Sequence, residues 1–240
     1  MVGRLAERTP GLEKPVYVGL LHEGTQNGVL ILNARVAGEY DTTTSAVLNC
    51  LSGRMYGGYG PHGLHMKTLA AGLAYSNGFS VGQQSGRARY SAERCPDISE
   101  TMKFVVNELK TAQPTPDLVD YSVAQIFGDS RSPDRYEARG EMMAADLADG
   151  YTPEVVRSYS EKVLQLRKRP DVFDEMRNRM QSVYGAVLIG YGRPLSESTD
   201  GYFFIIGPEK QFQSLEQYIA STETPQTVYR LYPRDFWLTL

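Results

Sequence analysis

The sequence predicts an α+β fold in which an antiparallel sheet carries helices on one face. Two pairs of β-rich runs predict the sheet: residues 16–21 with 29–36, and residues 73–81 with 88–94, each pair joined by a glycine-containing loop. Between positions 96 and 183 the apolar residues recur at helical spacing instead. The chain of 240 residues is long enough to bury a substantial core.

The helices are predicted from their start signals. The Asp-Thr-Thr-Thr run at residues 41–44 offers N-caps for a helix after the first pair of strands. Pro96 opens a helix whose apolar residues recur at i, i+4, i+7 and i+11 from Ile98. Residues 152–154 supply an N-cap, a proline at the first helical position and a first-turn acid for a further helix.

The remaining elements suggest where the domain ends. Residues 202–206 are an apolar run ended by Gly-Pro, which predicts a strand and then a last helix. We expect a single α+β domain over residues 15–220. The polar residues 1–14 are expected to be a flexible lead-in or the cut edge of a longer protein, and residues 221–240 an aromatic C-terminal extension.

The composition argues against nucleic-acid and membrane partners. The formal net charge is −3 and the pI is about 5.7, so nothing indicates the basic face that such partners require. No signal-peptide pattern or membrane-length apolar run is present, so we expect a soluble chain whose compartment the sequence does not indicate. Cys50 and Cys95 are too few for a disulfide framework.

Residues 53–86 hold nine of the 23 glycines and two of the three histidines. This density of glycine predicts a shaped loop, because glycine adopts positive φ and allows close backbone approach. His62 and His65 would share one face of a helix, as two metal ligands could. Pro61 and Gly63 indicate a loop instead, and no third ligand is evident. Polar loop histidines are the favoured interpretation, with a metal site as the alternative.

The sharpest local pattern is Gly72-Leu73-Ala74-Tyr75-Ser76. Gly72 permits a turn out of the helix-like stretch before it. The two-residue period of the strand that follows places Leu73 and Tyr75 on one face. Two interpretations of Tyr75 stay open: its side chain packs in the core, or its hydroxyl faces a cleft as a hydrogen-bond donor.

Through this motif the chain resembles the pitrilysin/insulinase family of zinc metallopeptidases, which includes the mitochondrial processing peptidases. In that family a glycine turn leads into a short helix, G-L-A-Y-S starts a long strand, and a hairpin and a helix follow. The matching pieces here are residues 51–55, 66–76, 88–95 and 96–109. The resemblance implies the fold of a metallopeptidase half-domain.

The family's zinc-binding half carries an H-x-x-E-H motif, which this sequence lacks. The resemblance therefore implies a metal-free half without a catalytic residue or cofactor of its own, zinc being expected only in a partner half. In peptidase members this half supplies an arginine seven residues before the motif tyrosine, and the pair is similar in role to an oxyanion clamp. Tyr75 matches the tyrosine, but Thr68 stands at the arginine position and Lys67 one residue further.

The residues that the resemblance implies for substrate binding are Tyr75, Lys67, Thr68, Gly72, Ser76 and Arg54. Lysine does not reproduce the bidentate geometry of arginine. The cation beside Tyr75 is therefore expected from Lys67, Arg54, Arg87 or Arg89.

Three functional hypotheses follow. The first is the zinc-free half of a clamshell metallopeptidase, which binds an extended peptide at a sheet edge and closes a chamber with a zinc-bearing half or within a homo-oligomer. The alternative is an inactive structural or interaction module of the same fold, which Thr68 favours. The third is a different enzyme that uses His62, His65, Tyr56 or Tyr59 as acid–base groups, and this requires strongly lowered tyrosine pKa values.

Overall fold

The computed structural model describes residues 2–9, 11, 17–57, 63–129, 135–192, 201–223 and 225–236. The strands are β1 (Tyr17–Leu21), β2 (Gly28–Arg35), β3 (Ser76–Gly82), β4 (Arg87–Cys95), β5 (Tyr202–Gly207) and β6 (Tyr229–Leu231). The helices are α1 (Val2–Arg8), α2 (Thr44–Arg54), α3 (Leu64–Ala70), α4 (Ile98–Thr111), α5 (Asp117–Asp129), α6 (Tyr136–Ala148), α7 (Pro153–Arg167), α8 (Val172–Gly185) and α9 (Glu209–Ala220), followed by a 3-10 helix at Pro233–Phe236.

The strands form one mixed sheet in the order β3-β4-β2-β5-β1-β6. The first four of these strands pair antiparallel, whereas β1 pairs in parallel with both β5 and β6. The predicted α+β class, with helices on a mostly antiparallel sheet, is therefore confirmed. The parallel pairs near the β6 edge are an addition that the sequence does not predict.

The predicted antiparallel pair of residues 16–21 and 29–36 is wrong. β5 lies between β1 and β2, and Phe204 is in register with both Val18 and Ile31. β5 is a nearly continuous apolar run, and a central position in the sheet suits such a strand. Burial of β5 therefore outweighs the proximity in sequence that favours a β1–β2 hairpin.

The helices cover one face of the sheet. Leu30 points toward them and is fully buried, whereas the alternate residues Ile31 and Phe204 are partly exposed. Gly19 marks a close approach to α9, since a Cβ there would lie 2.2 Å from the ring of Phe212. We call the other side of the sheet the open face. Its larger side chains, assigned by this alternation, are Val18, Leu20, Val29, Ile31, Asn33, Arg35, Arg87, Arg89, Glu93, Tyr202, Phe204 and Ile206.

Several predicted elements are confirmed at their expected positions. The second predicted pair of strands is the β3–β4 hairpin. Thr43 caps α2 through its side chain, and Thr152 precedes α7, which starts with Pro153. Pro96, which is predicted to open α4, lies one residue before its N-cap: Asp97 caps the helix by accepting two backbone hydrogen bonds, and the helix starts at Ile98. Short-range capping signals therefore identify these helices well.

The two terminal segments contact each other. α1 lies within residues 1–14, the predicted lead-in, where Leu5 is buried and Arg8 forms a 2.5 Å salt bridge with Asp235. At the other end of the chain, β6 extends the sheet beside β1. Both segments thus lie at one edge of the sheet, and the domain boundaries at residues 14 and 220 stay a prediction.

A buried hydrogen bond joins α3 to β3. Thr68 and Asn77 are 0% and 4% exposed. The amide nitrogen of Asn77 donates to the Thr68 hydroxyl, which donates in turn to the Leu64 carbonyl. Polar groups buried this deeply need such partners. The bond fixes the start of β3 relative to α3 and thereby positions the residues between them.

The turn between β3 and β4 depends on Gly86. Its φ is +60°, and its carbonyl oxygen accepts hydrogen bonds from the amides of Val36 and Ala37. A Cβ at this position would lie 2.2 Å from the Ala37 carbonyl oxygen. Glycine alone satisfies both the left-handed conformation and the close approach.

We expect Gly86→Ala to lower the free energy of unfolding by about 3 kcal/mol, because left-handed strain adds to a backbone clash. Gly150→Ala is the matched control. Gly150 has a φ of +85°, but a Cβ there meets no atom within 4 Å, so strain alone should cost about 1 kcal/mol. Urea unfolding followed by circular dichroism measures both variants. Equal losses would show that the close approach contributes nothing.

The Thr68–Asn77 bond gives a second stability prediction. Thr68→Val should lower the free energy of unfolding by about 1–3 kcal/mol, because it leaves the buried Asn77 amide without its acceptor. Thr68→Ser keeps the hydroxyl and should cost less. Combining Thr68→Val with Asn77→Leu should recover part of the loss, since neither polar partner then remains. Thermal and urea unfolding test the series, and equal stability of the valine and serine variants would contradict it.

Candidate functional site

A tight turn after α3 leads to Tyr75 at the start of β3. Gly72 has a φ of +70° and follows the C-cap of α3, which is the left-handed position where glycine commonly ends a helix. The Leu73 amide donates to the Thr68 carbonyl at 3.0 Å, and the Leu73 carbonyl accepts from the Thr101 hydroxyl at 2.8 Å. The predicted glycine turn is therefore present, and both α3 and α4 hold it.

Tyr75 lies at the surface. Its exposed fraction is 63%, so the interpretation that it packs in the core is wrong. Its amide donates to the Glu93 carbonyl at 3.1 Å, one residue before β3 begins. The expectation that Tyr75 lies within the regular strand is thus wrong by one residue, because the turn extends to Tyr75. Its backbone is fixed while its side chain faces solvent.

A β-bulge in β4 brings Arg94 to Tyr75. Between two successive register pairs, β4 has one residue more than β2, and the extra length falls at Glu93 and Arg94. Arg94 has a φ of +54°, which costs a non-glycine residue about 1 kcal/mol. Its guanidinium carbon lies 4.7 Å from the centroid of the Tyr75 ring, within cation–π range. The bulge therefore aims a cation at the exposed tyrosine.

We call Tyr75 and Arg94 the rim pair. Both side chains are exposed, and within the described residues Arg94 makes no hydrogen bond or ion pair besides its contact with the ring. A phenol hydroxyl and a guanidinium are both hydrogen-bond donors. Side by side, they suit a carbonyl or carboxylate oxygen of a ligand, with the guanidinium giving the stronger, charge-assisted bond.

Lys67 and Thr68 have other roles in the structure. The Lys67 ammonium forms a 2.7 Å salt bridge with Glu108 of α4. Thr68 is buried, and its hydroxyl is bonded on both sides within the α3–β3 connection. Their assignment to substrate binding stays a prediction, and these contacts supply no support for it.

Arg54 lies apart from the rim pair. It is 6% exposed, and its Nη2 donates to the Val81 carbonyl at 2.6 Å. The strand from Ser76 to Val81 spans about 17 Å at about 3.3 Å per residue. The structure therefore brings Gly72 and the half-buried Ser76 close to Tyr75 along the chain, but leaves Arg54 at the far end of β3.

Arg87 and Arg89 also lie toward the far end of β3. They are in register with Gly82 and Ser80, respectively. None of the four cations expected beside Tyr75 is shown to contact its ring, whereas Arg94 does. Arg94 is thus a candidate site residue that the sequence does not reveal. Arginine gives no signal for positive φ, as glycine or asparagine would, and only the register of β4 against β2 could have identified the bulge.

The structure weakens the acid–base hypothesis at Tyr56. Burial raises the pKa of Tyr56, and the charge of Asp117 raises it further. This direction is opposite to the change that a general base needs. Tyr59 and His62 lie outside the described residues, so the predicted metal alternative at His62 and His65 stays untested. His65 itself lies in α3, so the interpretation as a loop histidine is wrong for this residue.

The part of the chain that the structure describes contains no group of three or more His, Cys, Asp or Glu side chains that could hold a metal ion. Cys50 and Cys95 are buried free thiols, and burial raises the pKa of Cys95 to about 11, which disfavours a metal-binding thiolate. Within the same residues, every helix is too short or too polar to cross a membrane.

Comparisons with known proteins identify relatives by structure. No protein-family model matches this sequence, and no curated protein matches it. A protease from Helicobacter pylori is similar with a TM-score of 0.53 and 15% identity, over 83% of this chain and 47% of that chain. A chain of complex III2 from Candida albicans is similar with a TM-score of 0.54 and 12% identity, over 81% of this chain and 46% of that chain.

A third relative is a domain of matching size. It is the inactive peptidase domain of a protein assigned as a zinc protease from Bordetella parapertussis, with a TM-score of 0.52 and 13% identity, over 78% of this chain and 94% of that chain. The chain thus spans about half the length of the first two relatives and nearly all of the third. At such identities the similarity concerns the fold. This chain therefore has the fold of a pitrilysin-type (M16) peptidase domain, and its structural relatives include inactive domains.

Proposed function

We propose that this chain is the zinc-free half of a clamshell metallopeptidase, which binds an extended peptide and closes a chamber with a zinc-bearing half. The observation that carries the proposal is the rim pair, because a strained arginine and an exposed tyrosine present donors together at the start of β3. Strained backbone is kept where the surrounding structure enforces it, and such positions cluster at ligand sites. The similarity in fold and length to an inactive peptidase domain also supports this proposal.

The peptide is proposed to lie beside β3. Within the described residues β3 is an edge strand of the sheet, and edge strands bind extended peptides through backbone hydrogen bonds. The Val81 carbonyl already accepts from Arg54, so the far end of β3 has one acceptor fewer to offer. We therefore place the peptide near residues 76–78, where its carbonyl oxygen comes within reach of Tyr75 and Arg94.

The proposed partner is a chain or segment that carries the H-x-x-E-H motif, since this sequence lacks that motif. Zinc bound there would supply the Lewis acid and the activated water. The residues of this chain would bind and orient the peptide, exclude water on closure, and donate hydrogen bonds to a carbonyl oxygen. A homo-oligomer of this chain is the other arrangement, and it would provide no zinc motif.

An inactive structural or interaction module is the second candidate. Thr68 favours it, because a buried and fully bonded side chain occupies the position where the resemblance places an arginine. The two candidates differ in one measurable property, since a purely structural module binds no peptide at the rim pair.

The isolated chain should not hydrolyse peptides. After treatment with a chelator and reloading with zinc, we expect no cleavage of an internally quenched fluorescent peptide above the buffer rate, because the sequence lacks the zinc motif. Zinc content measured on the same sample shows whether metal has bound. Cleavage by the purified chain would refute the assignment as a zinc-free half.

The rim pair should contribute to peptide affinity. Tyr75→Ala and Arg94→Gly should each weaken binding of a fluorescein-labelled, unstructured peptide by about tenfold, as expected for loss of about 1.4 kcal/mol. Fluorescence anisotropy measures the dissociation constant. Arg94→Gly also removes the strain at φ +54°, so this variant should be at least as stable as the parent in urea.

Tyr136 and Arg139 of α6 provide a matched control. They form another tyrosine–arginine contact, with 5.4 Å from the guanidinium carbon to the ring centroid, in which Tyr136 is exposed and Arg139 is partly buried. Tyr136→Ala and Arg139→Gly should leave peptide affinity unchanged. If the Tyr75 and Arg94 variants bind like these controls, the structural module becomes the better description.

A further inference from the structure

We propose that three arginines on the open face bind acidic side chains of the peptide, so that this half selects extended peptides with acidic residues at alternate positions. This inference rests on the proposed function and adds a substrate class to it. Arg87 and Arg89 lie on β4 and Arg35 lies on the neighbouring β2. All three alternate with buried residues, which places them on the open face. We call them the arginine cluster.

The cluster places like charges opposite each other. Arg35 and Arg87 are register partners across β2 and β4, and like charges in that position destabilise an antiparallel pair. The carboxylate of Glu39 is 3.9 Å from Arg35, at the limit of an ion pair. Arg89 is exposed and makes no hydrogen bond or ion pair within the described residues. The side-chain oxygen of Asn33 accepts a hydrogen bond from Nε of Arg87, so Arg35 and Arg87 both have partners within the protein. A carboxylate ligand would add negative charge beside them and give Arg89 a partner.

Small residues of β3 leave room beside the cluster. Arg89 is in register with Ser80, and Arg87 with Gly82, on the edge strand. The edge of β3 beside Val81 is occupied by Arg54, so the peptide is placed at the edge only near residues 76–78 and continues over the open face of β3. Its side chains can then pass the small Ser80 and Gly82 and meet the long arginine side chains of β4, a strand about 4.8 Å away. Ser80 and Gly82 are two residues apart, which is the spacing of side chains on one face of a strand. This geometry selects acidic residues at positions i and i+2.

The surroundings of the cluster favour a peptide over a nucleic acid. The ring of Tyr202 is 44% exposed and lies 5.8 Å from the guanidinium carbon of Arg87. One step along the sheet, the open face presents the partly exposed Ile31 and Phe204, which are register partners. Apolar side chains next to acidic ones cover such a mixed surface, whereas a uniformly charged backbone would leave the apolar part in water. The net charge of −3 also disfavours a polyanion.

The test uses fluorescein-labelled peptides of about twelve residues that differ only at two alternate positions, which hold Glu, Gln or Lys. Fluorescence anisotropy with the full chain gives the dissociation constants at about 50 mM and 300 mM NaCl, since salt screens exposed charges. The Glu peptide should bind about tenfold more tightly than the Gln peptide at low salt, and the Lys peptide most weakly. The differences in affinity among the three peptides should become smaller at high salt.

Two variants of Arg89 connect this preference to the cluster. Arg89→Glu should weaken binding of the Glu peptide by about tenfold and leave the Gln peptide within about twofold. Arg89→Gln should weaken binding of the Glu peptide by a smaller factor. This variant replaces Arg89→Glu in the test if the glutamate variant disturbs the sheet. Lys210→Glu is the matched control: Lys210 is exposed on α9, on the helix side of the sheet, and the substitution changes the net charge equally.

The outcomes separate this inference from the proposed function. Equal affinities for the three peptides would overturn the selection of acidic residues and leave peptide binding intact. Binding of none of them would overturn both. If Arg89→Glu alters the oligomeric state in light scattering but not the peptide affinities, the cluster is an interface between copies of the chain and the inference is wrong.

Discussion

The candidate function depends on one constraint, which is that, within the described residues, the helices bury only one face of the sheet. The pleat sends alternate side chains to opposite faces. A strand such as β2 therefore contributes Leu30 to the core and Ile31 to the open face. A second helical layer would cover both the open face and its arginines. One-sided packing thus leaves the open face uncovered by helices, as the proposed ligand surface requires, while the other face is buried in the core.

Stability and binding compete at the connection between α3 and β3. Thr68 is fully buried against Asn77, so an arginine at this position would place a charge in the core at a large cost. The chain supplies a cation beside Tyr75 by another route, through the bulge that turns Arg94 toward the ring. Tyr75 and Arg94 thereby lie side by side as two donors, with the arginine coming from β4 and not from α3. The strain at Arg94 is of the kind that persists at functional positions.

Sequence reasoning succeeds here where the signals are local. Thr43 and Gly72 are assigned correctly because a cap and a left-handed helix end each depend on a few adjacent residues. The place of β5 between β1 and β2 depends instead on which strand gains most from central burial, and the neighbouring residues do not contain that information. The position of Arg94 beside Tyr75 could not be predicted for a related reason. Its φ is set by the register between strands that are distant in sequence.

The two ends of β3 differ in charge, and in the proposed complex this difference would give a bound peptide a direction. At the Tyr75 end Glu93 is exposed on the open face opposite Ser76, and its charge partly offsets that of the adjacent Arg94. At the other end the exposed Arg89 makes no ion pair within the described residues, so an acidic side chain would be attracted more strongly there. A peptide that places its carbonyl at the rim pair and its acidic residues at the arginine cluster would satisfy both ends, whereas the reversed peptide would bring its acidic residues to the less positive end. Because β3 holds the two contacts at a fixed spacing, the second forms intramolecularly once the first has formed, so two weak contacts together can select one orientation.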